Sequence, residues 1–140
     1  MTIIALDDEV LQLNMLLKCI RTVAPAAALE GFTAPDELLA FVRRNKIDVA
    51  FLDIQLFGAN GMDVAKKLKL LQPHVNIIFC TAYSQYAAEA FSLRASGYIL
   101  KPVTMNAVRT ELDTLRNPSI MTGADGKLEI QCFGNFDVFY

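Results

Sequence analysis

The sequence predicts an α/β fold: a doubly wound, five-stranded parallel sheet with helices on both faces. Three observations point there. Short apolar runs alternate with segments of helical period. The third run, "DVAFLDI", is apolar through its middle, as a strand covered on both faces should be. The alternation occurs five times before the composition changes near residue 117, which is how successive strand-helix units read in a chain. The length of 140 residues suits one ordinary domain, able to bury about two-thirds of the surface its unfolded chain exposes.

Each element has its own signal. "TIIAL" is the first strand, and Val10, Leu13, Leu16, Leu17 and Ile20 follow at the three- and four-residue spacing of one buried helical stripe. "AALEGF" is the second strand. Pro35 in a first turn, with Thr33 or Asp36 as cap, predicts a helix carrying Leu38, Leu39, Phe41 and Val42 inward. "DVAFLDI" is the third strand, followed by a glycine-containing loop, a helix with Ala65 and Leu68 inward, and a stop at Gln72-Pro73. "VNIIFCTA" is the fourth strand, and the next helix carries Ala87, Ala90 and Phe91. "GYIL" is a short fifth strand, and Val108, Leu112 and Leu115 line the last helix.

Beyond Asn117-Pro118 the pattern breaks. Residues 118–127 contain the turn-formers "TGADG" and read as a linker, and residues 128–140, "KLEIQCFGNFDVFY" less its lysine, hold two strand-like runs around Gly134-Asn135. An isolated hairpin is marginal in water. This β-hairpin-like extension is therefore expected to be the truncated start of a second domain, with Phe133, Phe136, Phe139 and Tyr140 in its core; the alternative is that it folds back on the first domain's edge.

Composition narrows the class. Apolar residues make up 54% of the chain, yet no run approaches the roughly 20 residues that span a bilayer, and no basic-then-apolar leader opens it. The three cysteines, Cys19, Cys80 and Cys132, have no metal or redox spacing. A soluble, cytoplasmic protein without membrane contact is expected. The net charge of -2 gives no global reason to bind nucleic acid.

In open parallel sheets ligands gather at the carboxyl ends of strands, where strand order reverses. Asp7 and Asp8 follow strand one, Asp53 ends strand three, Thr81 ends strand four and Lys101 follows strand five. With the flavodoxin-like order 2-1-3-4-5, all five meet at one edge. Three crowded carboxylates resist joint ionisation unless a cation intervenes. Mg²⁺ suits them, with Asp8 and Asp53 as direct ligands and Asp7 acting through water. Lys101 can stretch toward Asp53. A carboxylate, a hard cation, a hydroxyl and an ammonium form a kit for phosphoryl transfer onto aspartate.

"DDE" after strand one, "LDI" with Gly61 eight residues beyond Asp53, "TA" after strand four and "KP" after strand five together resemble the receiver (CheY-like) domain of two-component response regulators, over residues 1–117. The resemblance implies an acidic pair at Asp7 and Asp8, a phospho-acceptor at Asp53, a switch hydroxyl at Thr81, a switch aromatic at Tyr98, a phosphate-facing Lys101 with a cis bond to Pro102, and Mg²⁺ held by Asp7, Asp8, Asp53 and the main-chain carbonyl of Gln55. It implies a sensor histidine kinase as partner, a domain that assists its own phosphorylation and dephosphorylation without being a dedicated enzyme, and possible homodimerisation through the face of helix four, strand five and helix five. "TAYSQYAAEAFSLRASGYILKPV" resembles receivers joined to LytTR-type DNA-binding domains, whereas "LEIQCFGNFDVF" looks like the opening of a winged-helix or transcriptional-activator effector domain. The tail is favoured because it adjoins the missing part, so an effector of the winged-helix or transcriptional-activator type is expected, giving transcription regulation with DNA contacted only through that effector.

Two positions depart from the pattern. Phe57 stands where receivers commonly carry proline, with Asn60-Gly61 left to supply a tight turn. Tyr83, two residues past Thr81, occupies a position that in the family tunes the access of water to the phosphoryl group.

Plainer readings compete. Asp7 and Asp8 can simply cap the first helix, Thr81 and Tyr98 can be ordinary strand and core residues, and Lys101 a surface lysine. Asp53 is harder to dismiss, because burying an unpaired carboxylate is costly. His74 is expected in a solvated loop. A degenerate receiver serving as a phosphorylation-independent docking module is the alternative reading. A flavodoxin lacks support because "DDEV" would repel a phosphate, and a dehalogenase-type phosphatase because Gln55 stands where its general acid belongs.

Overall fold

A computed structural model describes residues 1–117. The expected linker and hairpin-like extension, 118–127 and 128–140, lie outside the described residues. The chain runs β1 (Thr2–Leu6), α1 (Val10–Val23), β2 (Ala28–Phe32), α2 (Pro35–Val42), β3 (Val49–Leu52), β4 (Gln55–Leu56), β5 (Ala59–Asn60), α3 (Gly61–Leu71), β6 (Asn76–Thr81), α4 (Ala87–Ser92), β7 (Gly97–Leu100) and α5 (Met105–Asp113). The main sheet is parallel with order β2-β1-β3-β6-β7. That is the expected 2-1-3-4-5 arrangement, counted without the small antiparallel pair β4-β5.

Alternation along each strand sorts the core into two halves. Ile4, Leu6, Ala50, Leu52, Ile77 and Phe79 face one way, onto α2 and α3 through Leu38, Leu39, Val42, Ala65 and Leu68. Ile3, Ala5, Val49, Phe51, Ile78 and Cys80 face the other way, onto α1 and α5 through Leu13, Leu16, Ile20 and Val108. Both faces of β3 and β6 are buried throughout, which is why their sequences lack polar alternation.

Several helix details differ from expectation. Val10 is exposed, so the α1 stripe begins at Leu13. Neither Thr33 nor Asp36 caps α2: Ala34 holds that position with no side-chain bond, Pro35 opens the helix, and Asp36 sits in the first turn, where its charge suits the helix dipole. In α4 only Ala90 is buried, and Phe91 turns outward at 79% exposure. A six-residue helix is too short to bury a stripe on more than one turn.

At the opposite end of the sheet from the strand carboxyl termini, buried Asn76 acts as a clamp. Its side-chain amide donates to the Asp48 carbonyl at 2.9 Å. The Asn117 main chain both donates to its Oδ1, at 2.6 Å, and accepts from its Nδ2. His74 is exposed in the loop before β6.

Candidate functional site

Ladder extensions at the strand ends place the acidic residues. Asp53 N–H donates to the Leu6 carbonyl at 3.0 Å and Asp7 N–H to the Phe32 carbonyl at 3.1 Å, carrying β3 and β1 just past their last paired residues. Lys101 N–H donates to the Thr81 carbonyl at 2.8 Å, fastening β7 to β6, and the Lys101-Pro102 bond is cis. Asp7, Asp8, Asp53 and Lys101 consequently meet at one edge of the sheet. One carboxylate oxygen from each of Asp7, Asp8 and Asp53 lies within 4.8 Å of the others, and the Lys101 ammonium reaches Asp7 Oδ2 at 2.8 Å and Asp53 Oδ2 at 3.1 Å. Asp7 and Lys101 face, with Asp8, Asp53, Gln55 and Tyr83, a cavity of about 440 Å³.

Asp7 is 2% and Asp53 7% exposed. Burial raises the Asp53 carboxyl above its ordinary value; the Lys101 hydrogen bond and charge pull it back, and the Asp7 charge pushes it further up. Lys101 is also raised: burial alone would lower it, but hydrogen bonds to Asp7 and Asp53 and their charges outweigh that. Both directions hold together because one cation serves two anions. Lys101 feels two favourable partners, whereas Asp53 feels one cation, one competing anion and the loss of water.

Each carboxylate also accepts a main-chain N–H: Asp7 from Glu9 at 2.9 Å, Asp53 from Gln55 at 3.3 Å, and Asp8 from Phe57 at 2.5 Å. The simple capping role does not hold: α1 starts after Glu9 without a side-chain cap, and the bond Asp7 accepts from Glu9 lies ahead of the helix. Thr81 is fully buried at the end of β6, and its hydroxyl accepts from the Tyr83 N–H at 3.3 Å, keeping its own hydrogen to donate. Tyr98 packs its ring against Phe79, with centroids 6.4 Å apart, and its hydroxyl donates to the Tyr83 carbonyl. Tyr98 and Thr81 therefore converge on the same short loop. Cys80 borders the cavity, but burial pushes its thiol far up, leaving no thiolate for chemistry.

Two features have no signature in the sequence pattern. The Gln55 side-chain amide donates to the Tyr86 hydroxyl at 2.6 Å, joining β4 to the segment before α4. The tight turn of the β4-β5 hairpin is Phe57-Gly58, with Gly58 at φ +74°, rather than Asn60-Gly61. Asn60 instead caps α3, accepting from the Met62 N–H at 2.7 Å.

Residues 3–113 match the family model described as response regulator receiver domain. The chain belongs to the response regulator receiver family. Among relatives, this receiver is 36% identical over 100 residues to the sensory transduction protein LytT of Bacillus anthracis, covering 71% of this chain and 41% of that protein. It is 31% identical over 116 residues to the transcriptional regulatory protein LytR of Staphylococcus aureus, covering 83% of this chain and 47% of that one. The chain thus spans less than half the length of these curated relatives. The response regulatory domain of mrkE from Klebsiella pneumoniae superposes with a TM-score of 0.74 at 32% identity, covering 82% of this receiver and 94% of that domain. TrrA from Thermotoga maritima, solved in complex with Mg²⁺-BeF, shares the fold at a TM-score of 0.71 and 23% identity, over 80% of this chain and 96% of that one. Among the described residues no helix is long and apolar enough to cross a membrane.

Proposed function

We propose that this receiver accepts a phosphoryl group on Asp53 from a sensor histidine kinase, in a Mg²⁺-dependent reaction, and passes the resulting conformational change to a transcriptional output elsewhere in the full-length protein. The observation that carries this is the convergence of three carboxylates and Lys101 at the carboxyl edge of the sheet.

The residues fit the cation. All three are hard oxygen donors, close enough together for shared ligation, and Asp53 is already strained toward its neutral form by burial and by Asp7. Asp7, Asp8 and Asp53 would hold Mg²⁺, with the Gln55 main-chain carbonyl as a further ligand. Bound there, the ion neutralises charge on phosphoryl oxygens. In the transfer, an Asp53 oxygen forms a bond to phosphorus as the bond from phosphorus to the donor's imidazole nitrogen breaks, and the electron pair leaves with that nitrogen. Lys101 gives up its contact with Asp53 Oδ2 and meets the new phosphoryl oxygens. Thr81 donates its free hydroxyl hydrogen to the same group. Because the Tyr83 amide contacts the Thr81 hydroxyl and the Tyr83 carbonyl holds Tyr98, displacement of Thr81 moves the loop that positions Tyr98.

The readout surface is the face of α4, β7 and α5, where Phe91, Leu100 and Met105 are exposed. Exposed apolar side chains on these elements suit a dimer or effector contact. The relative named as a transcriptional regulator supports transcription as the output, and an effector outside residues 1–117 would contact the DNA.

The test is direct. Incubation with Mg²⁺ and a small phosphodonor should add the mass of one phosphoryl group, stable to acid and labile to alkali, and Asp53→Asn should abolish it. No gain with any donor would support the phosphorylation-independent docking module instead.

A further inference from the structure

We propose that the main-chain amide of Phe57 is a positioning group for the cation site, orienting the Asp8 carboxylate through a hydrogen bond that residue 57 supplies because it is not proline. The inference rests on the Mg²⁺ reading above.

The three carboxylates are held differently. Asp7 and Asp53 each pair with Lys101, and each accepts an N–H from the residue two places further along the chain. Those bonds are local turns that the backbone near each aspartate makes on its own. Among the described residues Asp8 has no lysine contact, and its N–H comes from Phe57, 49 residues away in sequence. Its orientation therefore depends on where the β4-β5 hairpin puts that amide. A carboxylate bound through Oδ2 keeps Oδ1 for a metal. Ligating carboxylates are generally held by such outer hydrogen bonds, whose loss typically costs 10- to 100-fold in metal affinity.

The hairpin is built to present the amide and not the ring. Phe57 is 95% exposed, so its side chain does no packing. Among the described non-glycine residues only Arg94 has positive φ, so the turn runs from negative φ at Phe57 to +74° at Gly58, the sequence of signs in a type II turn. Proline is favoured at the first central position of that turn, and Leu56 before it is already extended. Phe57→Pro keeps the negative φ of this position and removes the donor, and the thermal-unfolding check reports any strain it adds. Phe57→Ala keeps the donor and deletes the ring.

The experiment measures Mg²⁺ binding by titration calorimetry on the full chain, with thermal unfolding as a check on folding. Phe57→Pro should bind Mg²⁺ about tenfold more weakly or worse than wild type, and Phe57→Ala should restore wild-type affinity. Hydrogen exchange of the Phe57 amide supplies a second measurement on the unaltered loop: it should be accelerated by Asp8→Ala and slowed in wild type by saturating Mg²⁺, since coupling between the two contacts is reciprocal. Equal affinity in wild type and Phe57→Pro would overturn the proposal and leave the cation site standing. Equal losses in the proline and alanine variants would assign the effect to the ring and overturn it too. Failure of wild type to take up Mg²⁺ would remove the cation site itself, and this inference with it.

Discussion

Replacing Gly61 by alanine should damage both the fold and the acceptor. A Cβ at this position would lie 2.0 Å from the Asp53 carbonyl oxygen, and 2.8 Å from both the Asp53 carbonyl carbon and Ile54 Cα. Real Cβ contacts do not fall under 3.0 Å, so the two backbones must part by about 1 Å. All three obstacles are main chain, and no rotamer can relieve them. The Gly61 N–H also donates to the Ile54 carbonyl at 2.7 Å, tying the start of α3 to the residue after the acceptor. Alanine is the better helix former by up to about 1 kcal/mol in a helix interior, but Gly61 is the first residue of α3, where that gain is smallest. Overpacking of this kind costs about 1–3 kcal/mol. A net loss of about 2 kcal/mol is expected, a fall in Tm of roughly 8 °C for a domain of this size. A displacement of about 1 Å at a reacting group can cost about 100-fold in rate, so phosphorylation of Asp53 should slow by a similar factor. Urea unfolding followed by circular dichroism, and the rate of mass gain with a small phosphodonor, report the two effects. A variant with wild-type stability and rate would refute the claim that close backbone approach at residue 61 sets the acceptor's position.

Other outcomes follow from the site. The raised Asp53 pKa means that the folded chain binds this proton more tightly than the unfolded chain, so its contribution to stability falls as pH climbs from the ordinary value of 3.8 through the folded value and stays low at neutrality. Metal-free Asp53→Asn should accordingly melt above wild type at pH 7; a lower Tm would mean that the Lys101 pairing outweighs burial. Lys101→Met leaves two nearly buried carboxylates facing one another, and should cost about 3 kcal/mol in chelator. Added Mg²⁺ should then stabilise this variant more than wild type, and an equal gain would contradict the account of Lys101 as the cluster's counter-charge. Tyr83 lines the cavity, so Tyr83→Ala should shorten the lifetime of phosphorylated Asp53; an unchanged decay would show that the ring does not shield it.

The main sheet was legible because a doubly covered parallel strand has a strong composition signal: β3 and β6 are buried at every position, and their sequences say so. Asp7, Asp8, Asp53 and Lys101 were legible for a related reason, since polar residues ending such strands are expensive unless they share an edge. What escaped was local geometry. Phe91 has the helical spacing of a core residue but faces outward on the six-residue α4, where only Ala90 is buried. Asn60 reads equally well as turn or cap, and the choice went to the cap because Gly58 supplies the positive φ. The bonds from Gln55 to Tyr86 and from Phe57 to Asp8 join loops far apart in sequence, and no periodicity encodes them.

The Asn76 clamp on Asn117 bears on signalling geometry. Thr81 and Asn76 are the two ends of β6, so the point where the described chain departs is separated from the acceptor edge by a whole strand, about 17 Å. Residue 117 itself is held at the pole of the domain away from the carboxylates. A phosphoryl group taken up on Asp53 would have to act over the flank of the domain to be felt at Asn117.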